Sequence, residues 1–151
     1  MTALASSSPG NEVGALTTQL VDVAEKLSDL LGEETTFVRA MKIKEIGPLQ
    51  PEKVRLTDLY KKFFKALTTA NDGRALPTPY KERLASSGTR LAKAVIDNEL
   101  ALRVGKVATE RLIGSIVTAV RNQKKATLSY APQRRVPQRS FMTAAAVDRR
   151  L

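Results

Sequence analysis

The side chains that most often perform catalysis or hold metals are scarce in this sequence. Its 151 residues include no cysteine and no histidine, which removes the thiolate nucleophile together with the commonest general base and metal ligand. Carboxylates would have to act alone. The closest pairs, Glu33 with Glu34 and Asp97 with Glu99, lie one or two residues apart on predicted helices, where side chains do not face each other. We therefore expect no enzyme activity, no metal site and no cofactor.

The charge balance is basic, but no phosphate-binding motif accompanies it. Lys and Arg outnumber Asp and Glu by 25 to 15, a formal charge of +10, which fits a nucleic-acid partner, an anionic membrane or a self-repelling surface. Neither G-x-x-x-x-G-K-[ST] nor G-x-G-x-x-G after a strand occurs. Tryptophan is absent and aromatics make up 5%, so few side chains can stack on bases. We interpret Lys124-Lys125 and Arg134-Arg135 as solvated cations.

The sequence offers no segment for membrane insertion. No apolar run approaches the ~20 residues that a membrane-spanning helix needs. The N-terminus also lacks a basic region followed by an apolar one, so we expect no secretory signal. Together with the absence of cysteine, these features favour a cytoplasmic location.

The longest regular pattern runs from Pro79 to Ala126 and contains no proline after its first residue. Steps of three and four residues select one seam, the line of side chains expected to face neighbouring helices. The seam consists of Leu84, Gly88, Leu91, Val95, Asn98, Leu102, Gly105, Thr109, Leu112, Ile116, Ala119 and Gln123. This spacing predicts one long helix that lies along other helices, with Asn98 as a polar position that fixes their register.

Two further helices precede it. The first is predicted from near Val13 to near Ile46, with Glu34 as a charge at the rim of its apolar stripe, and Gly47-Pro48 then breaks it. The second begins at Pro51, carries an aromatic core cluster of Tyr60, Phe63 and Phe64, and stops at a turn over 71–73. Thr78 is the predicted N-cap of the long helix.

The predicted fold class is all-α: an elongated antiparallel three-helix bundle, or coiled-coil hairpin, with flexible tails. The domain organisation is a flexible N-terminal segment (1–12), a helical bundle (13–126) and a flexible basic C-terminal tail (127–151). Within the tail, Ser140 could cap a short helix over 141–150. Two readings of that segment stay open, a docking element and a frayed end.

The last part of the long helix has two apolar faces. We expect one face, which includes Leu112 and Ile116, to be turned to the core. The second face is the predicted partner-binding surface and consists of Val107, Ile113, Val117 and Val120. Hiding both faces requires a second neighbour or an outside helix, so this surface is the candidate functional site.

Over about 16–130 the chain resembles the FlgN-type flagellar export chaperones, in their alphaproteobacterial branch. The first shared part is the leucine–glutamate–lysine spacing from Leu27 through Glu34 to Lys53. The second is Leu91, Ile96 and Asn98, then the 103–110 stretch and the run Ile113-Gly-Ser-Ile-Val-Thr-Ala-Val120, followed by Tyr130-Ala-Pro-Gln.

The resemblance implies a non-enzymatic cytoplasmic chaperone of the flagellar type III export system. Such proteins bind the C-terminal helical region of hook–filament junction proteins, the hook-associated proteins, and hand them to the export gate. By this resemblance Tyr130 contacts the export gate. The implied partners are thus an exported client helix and an export-gate component, with no small-molecule substrate.

Two alternatives stay open on the sequence alone. A basic helical nucleic-acid binder fits the net charge, but the acids spread through all three helices and the scarcity of aromatics count against it. A structural coiled-coil oligomer would pair the spare face with its own copy, and the sequence leaves the oligomeric state undetermined.

Overall fold

A computed structural model describes residues 9–129 of the chain. The described part is all-α, with no strand. Its helices are α1 (Pro9–Arg39), a short α2 (Ile43–Ile46), α3 (Gln50–Asn71) and α4 (Thr78–Ser129), and a 3₁₀ turn, Gly47–Leu49, joins α2 to α3. The predicted N-terminal segment up to residue 8, the tail beyond 129, Tyr130 and the 141–150 helix lie outside the described residues.

The chain divides into two compact units, the first ending at Leu112 and the second beginning at Ile113. The core of the first unit is one apolar cluster to which α1, α3 and α4 all contribute. Its buried members are Val23, Ala24, Leu27, Leu31, Leu56 and Leu91. A second cluster, built on Val13, Leu20 and Leu67, adds Tyr80 and Leu84 from the start of α4. Burial of these side chains is the main favourable term in holding the three helices together.

The break after the first helix falls earlier than the sequence predicted. α1 ends at Arg39 rather than near Ile46, and Met41 adopts a left-handed conformation with φ 56°. The Lys42 N–H donates to the Phe37 carbonyl at 2.9 Å, and the Met41 N–H donates to the Val38 carbonyl at 3.0 Å. This pair of bonds is a Schellman motif, which usually has glycine at the left-handed position. Because methionine occupies that position, no glycine marks the turn in the sequence.

The other helix ends lie closer to their predicted positions. α1 begins at Pro9, four residues before Val13, and α4 extends three residues past Ala126. The turn predicted over 71–73 is confirmed, with Asp72 and Gly73 both left-handed. Thr78 is the first residue of α4 rather than its cap, because the Pro77 carbonyl accepts the Tyr80 and Lys81 N–H groups, each at 3.0 Å.

A buried carboxylate joins all three long helices, and this corrects the prediction that Glu34 is a rim charge. Glu34 of α1 is 1% exposed. Its carboxylate accepts hydrogen bonds from Gln50 Nε2 at 2.6 Å, Lys53 Nζ at 2.7 Å and Asn98 Nδ2 at 2.8 Å. Asn98, itself 3% exposed, also donates to the Thr35 hydroxyl at 3.3 Å. Asn98 therefore lies at a buried polar position, as its place on the seam indicated.

The contacts of Glu34 determine its protonation. Burial acts to raise the pKa of this carboxyl, but the hydrogen bonds from Lys53, Gln50 and Asn98 and the charge of Lys53 outweigh burial. The net effect lowers the pKa of Glu34 below its ordinary value of 4.5. A folded-state pKa below the unfolded one means that ionised Glu34 stabilises the fold above pH 4.5. That contribution is lost as the pH falls through the folded-state value.

The substitution Glu34→Gln should therefore lower the free energy of unfolding by an amount that depends on pH. At pH 7 we expect a loss of about 2 kcal/mol in the free energy of unfolding, because Lys53, Gln50 and Asn98 lose a charged acceptor. The difference in free energy of unfolding between wild type and variant should become smaller as the pH falls below 4.5. Urea denaturation, followed by circular dichroism between pH 7 and pH 3, measures this difference. Glu33→Gln, a change at an exposed neighbour, should have little effect at any pH, and a pH-independent gap for Glu34→Gln would contradict the assignment.

Candidate interaction surfaces

One side of α4 faces the other helices, as predicted, but α4 is rotated slightly about its axis relative to the prediction. The inward positions are spaced by three and four residues and are buried or half-buried. They are Leu84, Ser87, Leu91, Ala94, Asn98, Ala101 and Gly105. Ala94 and Ala101 take the places predicted for Val95 and Leu102, which are 39% and 38% exposed. Ala94 packs against the larger apolar cluster and Ala101 is 5% exposed, so small side chains occupy these inward positions.

α1 approaches α4 closely at Gly105. A Cβ atom built on Gly105 would lie 3.0 Å from Val38 Cγ1 of α1, tighter than ordinary van der Waals contact. From Glu110 to Ser129, every side chain of α4 is exposed. The prediction that Leu112 and Ile116 are turned to the core is therefore wrong, because no described element covers them and they are 56% and 54% exposed.

The predicted partner-binding residues of α4 are all exposed. Val107 of the first unit is 45% exposed, and Ile113, Val117 and Val120 of the second unit are 42–56% exposed. With Ile116, the three second-unit residues form what we call the 113–120 face. Their spacing places them within an arc of about 100° of the helix, at roughly 100° per residue. This face is apolar, unpaired within the described residues and free for a partner, whereas Tyr130 lies outside them.

The first unit carries an apolar groove that the sequence reasoning missed. This groove, the Met41 groove, has a volume of about 380 Å³ and lies where α1 ends beside α4. Its lining is Val38, Arg39, Met41, Leu100, Ala101, Val104, Gly105 and Ala108. Leu100 and Val104 are 56% and 61% exposed. Their spacing of four residues could have indicated an apolar patch on this side of α4. The groove itself depends on the turn at Met41, which was not predicted.

The aromatic cluster of α3 is only partly a core feature. Tyr60 and Phe63 are half-buried and pack against both apolar clusters. Phe64 is exposed and stacks on Tyr60, with ring centroids 6.3 Å apart. The two rings line a groove of about 270 Å³ that also includes Leu67 and Leu84. This groove has no charged lining residue, and nothing in it suggests chemistry beyond apolar contact.

Charge is distributed unevenly between the two units. In the first unit, acids of α1 pair with other helices: Arg90 of α4 contacts Glu25 at 3.0 Å and Asp29 at 2.5 Å, and Lys53 contacts Glu34. Residues 113–129 contain Arg121, Lys124 and Lys125 but no acid. Over 113–151 the sequence has eight Lys or Arg and one Asp, a formal charge of +7. The exposed apolar face is thus accompanied by uncompensated positive charge.

Comparisons with family models, with curated proteins and with solved structures find no match to this chain. Within residues 9–129, no helix is both long and apolar enough to cross a membrane, and no cluster of three or more acidic side chains could hold a metal ion.

Truncating the exposed apolar side chains should leave stability almost unchanged. We expect Leu112→Ala and Ile116→Ala each to alter the free energy of unfolding by less than about 0.5 kcal/mol, because both side chains stay more than half exposed in the fold. Leu91→Ala, at a buried position of the same seam, should cost about 2–5 kcal/mol. Urea denaturation of the three variants compares them. A cost for Ile116→Ala close to that of Leu91→Ala would show that this side chain is covered in solution.

Proposed function

We propose that this protein is a cytoplasmic chaperone of the flagellar type III export system. Its clients are hook-associated proteins, whose C-terminal helical region it binds and delivers to the export gate. One observation carries the proposal: the apolar side chains of α4 from Leu112 to Val120 are exposed. A soluble helix that keeps such a face uncovered is suited to receive an amphipathic helix from a partner. The resemblance to FlgN-type chaperones supplies the identity of that partner.

In the proposed architecture, the client helix covers the apolar face that the chain itself leaves exposed. In it, α1, α3 and α4 form an elongated antiparallel three-helix bundle, and a client helix packs on the 113–120 face. Val107, Ile113, Val117 and Val120 are the proposed contacts. Burial of four such side chains yields several kcal/mol at ~25 cal/mol per Å² before the costs of association, which is compatible with reversible binding. Reversibility suits a chaperone, because the client must leave without any chemical step.

A coiled-coil oligomer is the second candidate, and the same exposed face favours it. In that case the 113–120 face would pair with its counterpart in a second copy. The two candidates differ in solution mass, since a chaperone with a free face is monomeric until its client arrives. A nucleic-acid role has less support, because the 113–120 face is made of aliphatic side chains that neither stack on bases nor contact phosphates.

The proposal is tested by co-purification with the last ~40 residues of a hook-associated protein, a length that forms one long or two short helices. The double variant Ile113→Glu with Val117→Glu should weaken binding about 100-fold, because two apolar contacts are lost and two carboxylates face an apolar surface. Its melting temperature should stay close to that of the wild type, since both positions are exposed.

A matched control uses the opposite side of the same stretch of helix. Thr118→Glu with Asn122→Glu introduces the same two charges at the same spacing on exposed positions about 180° away. This control should bind the client like the wild type. Equal losses in both double variants, or undiminished binding by the folded Ile113/Val117 variant, would refute the assignment of the face. Failure of the wild type to bind any hook-associated C-terminal region would refute the proposed function.

A further inference from the structure

The cations of the second unit are placed at one end of the 113–120 face. Lys124 follows Val120 by four residues, and Arg121 follows Val117 by four. At about 100° per residue, side chains four apart lie on the same side of a helix, one turn along. The apolar face therefore continues into positive charge at Lys124 and, along one edge, at Arg121. Lys125 lies roughly 130° around the helix from the centre of the face and adds positive charge to the same turn without being part of the face.

Two ordinary explanations for these cations do not apply. Basic residues often offset the helix dipole, but that effect is confined to the last turn, and the last turn of α4 contains none. Cations also pair with acids of the same helix, as Lys106 does with Glu110. No described ion pair involves Arg121, Lys124 or Lys125, and residues 113–129 contain no acid.

We infer that the occupant of the 113–120 face is an amphipathic helix that carries acidic side chains beside its apolar stripe, where it meets Arg121 and Lys124. The inference rests on the proposed function in one respect, that a partner helix docks on this face. It adds that charge complementarity selects the partner. Acidic helices gain attraction from Arg121, Lys124 and Lys125, whereas basic helices meet repulsion that no acid between 113 and 129 relieves.

Other occupants fit the same surface less well. A second copy of this chain paired in parallel would bring three cations against three cations, and in an antiparallel pair its residues 113–129 would still offer the cations no acid. An anionic membrane surface would attract the cations, but helices that lie in membranes usually insert Trp, Phe or Leu. The 113–120 face instead has isoleucine and valine, over little more than two turns. Such β-branched side chains at steps of three and four residues are typical of helix-to-helix packing.

The test uses the full chain and three synthetic helical peptides that share one leucine stripe at positions i, i+3, i+4 and i+7. Their flanking positions carry Glu, Gln or Lys. We expect the Glu peptide to bind at least about ten-fold more tightly than the Lys peptide, and its advantage to shrink at high salt. Fluorescence anisotropy at low and high ionic strength measures both effects.

Two triple variants identify which cations act. Arg121→Gln, Lys124→Gln and Lys125→Gln together should weaken binding of the Glu peptide about ten-fold, the sum of three exposed charge pairs. Lys61→Gln, Lys62→Gln and Lys65→Gln remove the same charge from exposed positions of α3 and should change binding less than about two-fold. Melting curves confirm that both variants are folded.

Several results would overturn the inference. They are equal binding of the Glu and Lys peptides, equal losses in the two triple variants, preference for phosphatidylglycerol vesicles over the Glu peptide, and a dimer that forms through the 113–120 face. The proposed function fails separately. If the Glu peptide binds as described and hook-associated C-terminal regions do not, charge selection stands and the client identity is wrong. If those regions bind with no effect of salt or of the 121/124/125 variant, charge selection is wrong and the proposed function stands.

Discussion

The Glu34 carboxylate lies in α1 and accepts hydrogen bonds from side chains of α3 and α4, so one buried charge connects the three long helices. Taking a carboxylate out of water is costly unless donors replace the lost hydration. Lys53, Gln50 and Asn98 are such donors, and among the described residues no buried side-chain nitrogen or oxygen lacks a hydrogen-bond partner. The apolar clusters supply most of the stabilisation. The carboxylate determines how the helices are aligned, because all three donors must reach it at once.

This alignment also determines which side of α4 is left exposed. With Asn98 held against Glu34, helix geometry turns Ala94 and Ala101 inward, because they precede and follow Asn98 by about one turn. Leu100 and Val104 lie roughly 200° and 240° from Asn98 around the helix. They are therefore left mostly exposed, and they line the Met41 groove beside the end of α1. Their exposure is thus a consequence of where the polar contact was placed. An alternative rotation would bury larger side chains at 95 and 102 but would remove the Asn98 donor from a buried charge.

Much of the fold was predictable from spacing and turn residues, while the exceptions each depended on distant partners. Helix content, the 71–73 turn and the polar position of Asn98 follow from local patterns. Glu34 looked like a rim charge because its partners lie 16, 19 and 64 residues away. The turn at Met41 carried no glycine, so the Met41 groove could not be expected. Ile113, Val117 and Val120 are exposed, and their role as partner contacts stays a prediction. Leu112 and Ile116 were misplaced because the sequence does not show where α1 and α3 stop covering α4.

The two units use charge in opposite ways. Fourteen of the 15 acids precede residue 113, and three of those in α1 form ion pairs with Lys53 of α3 or Arg90 of α4. The first unit therefore compensates most of its own positive charge. After residue 112 there is only one acid for eight cations. Among the described residues Arg121, Lys124 and Lys125 form no ion pair. Solvent ions or another molecule must balance such charges, and release of these ions favours association with an oppositely charged surface. The same stretch of α4 also leaves its isoleucine and valine side chains in water. A partner helix that is both apolar and acidic would therefore bury these side chains and balance the positive charge through one interface.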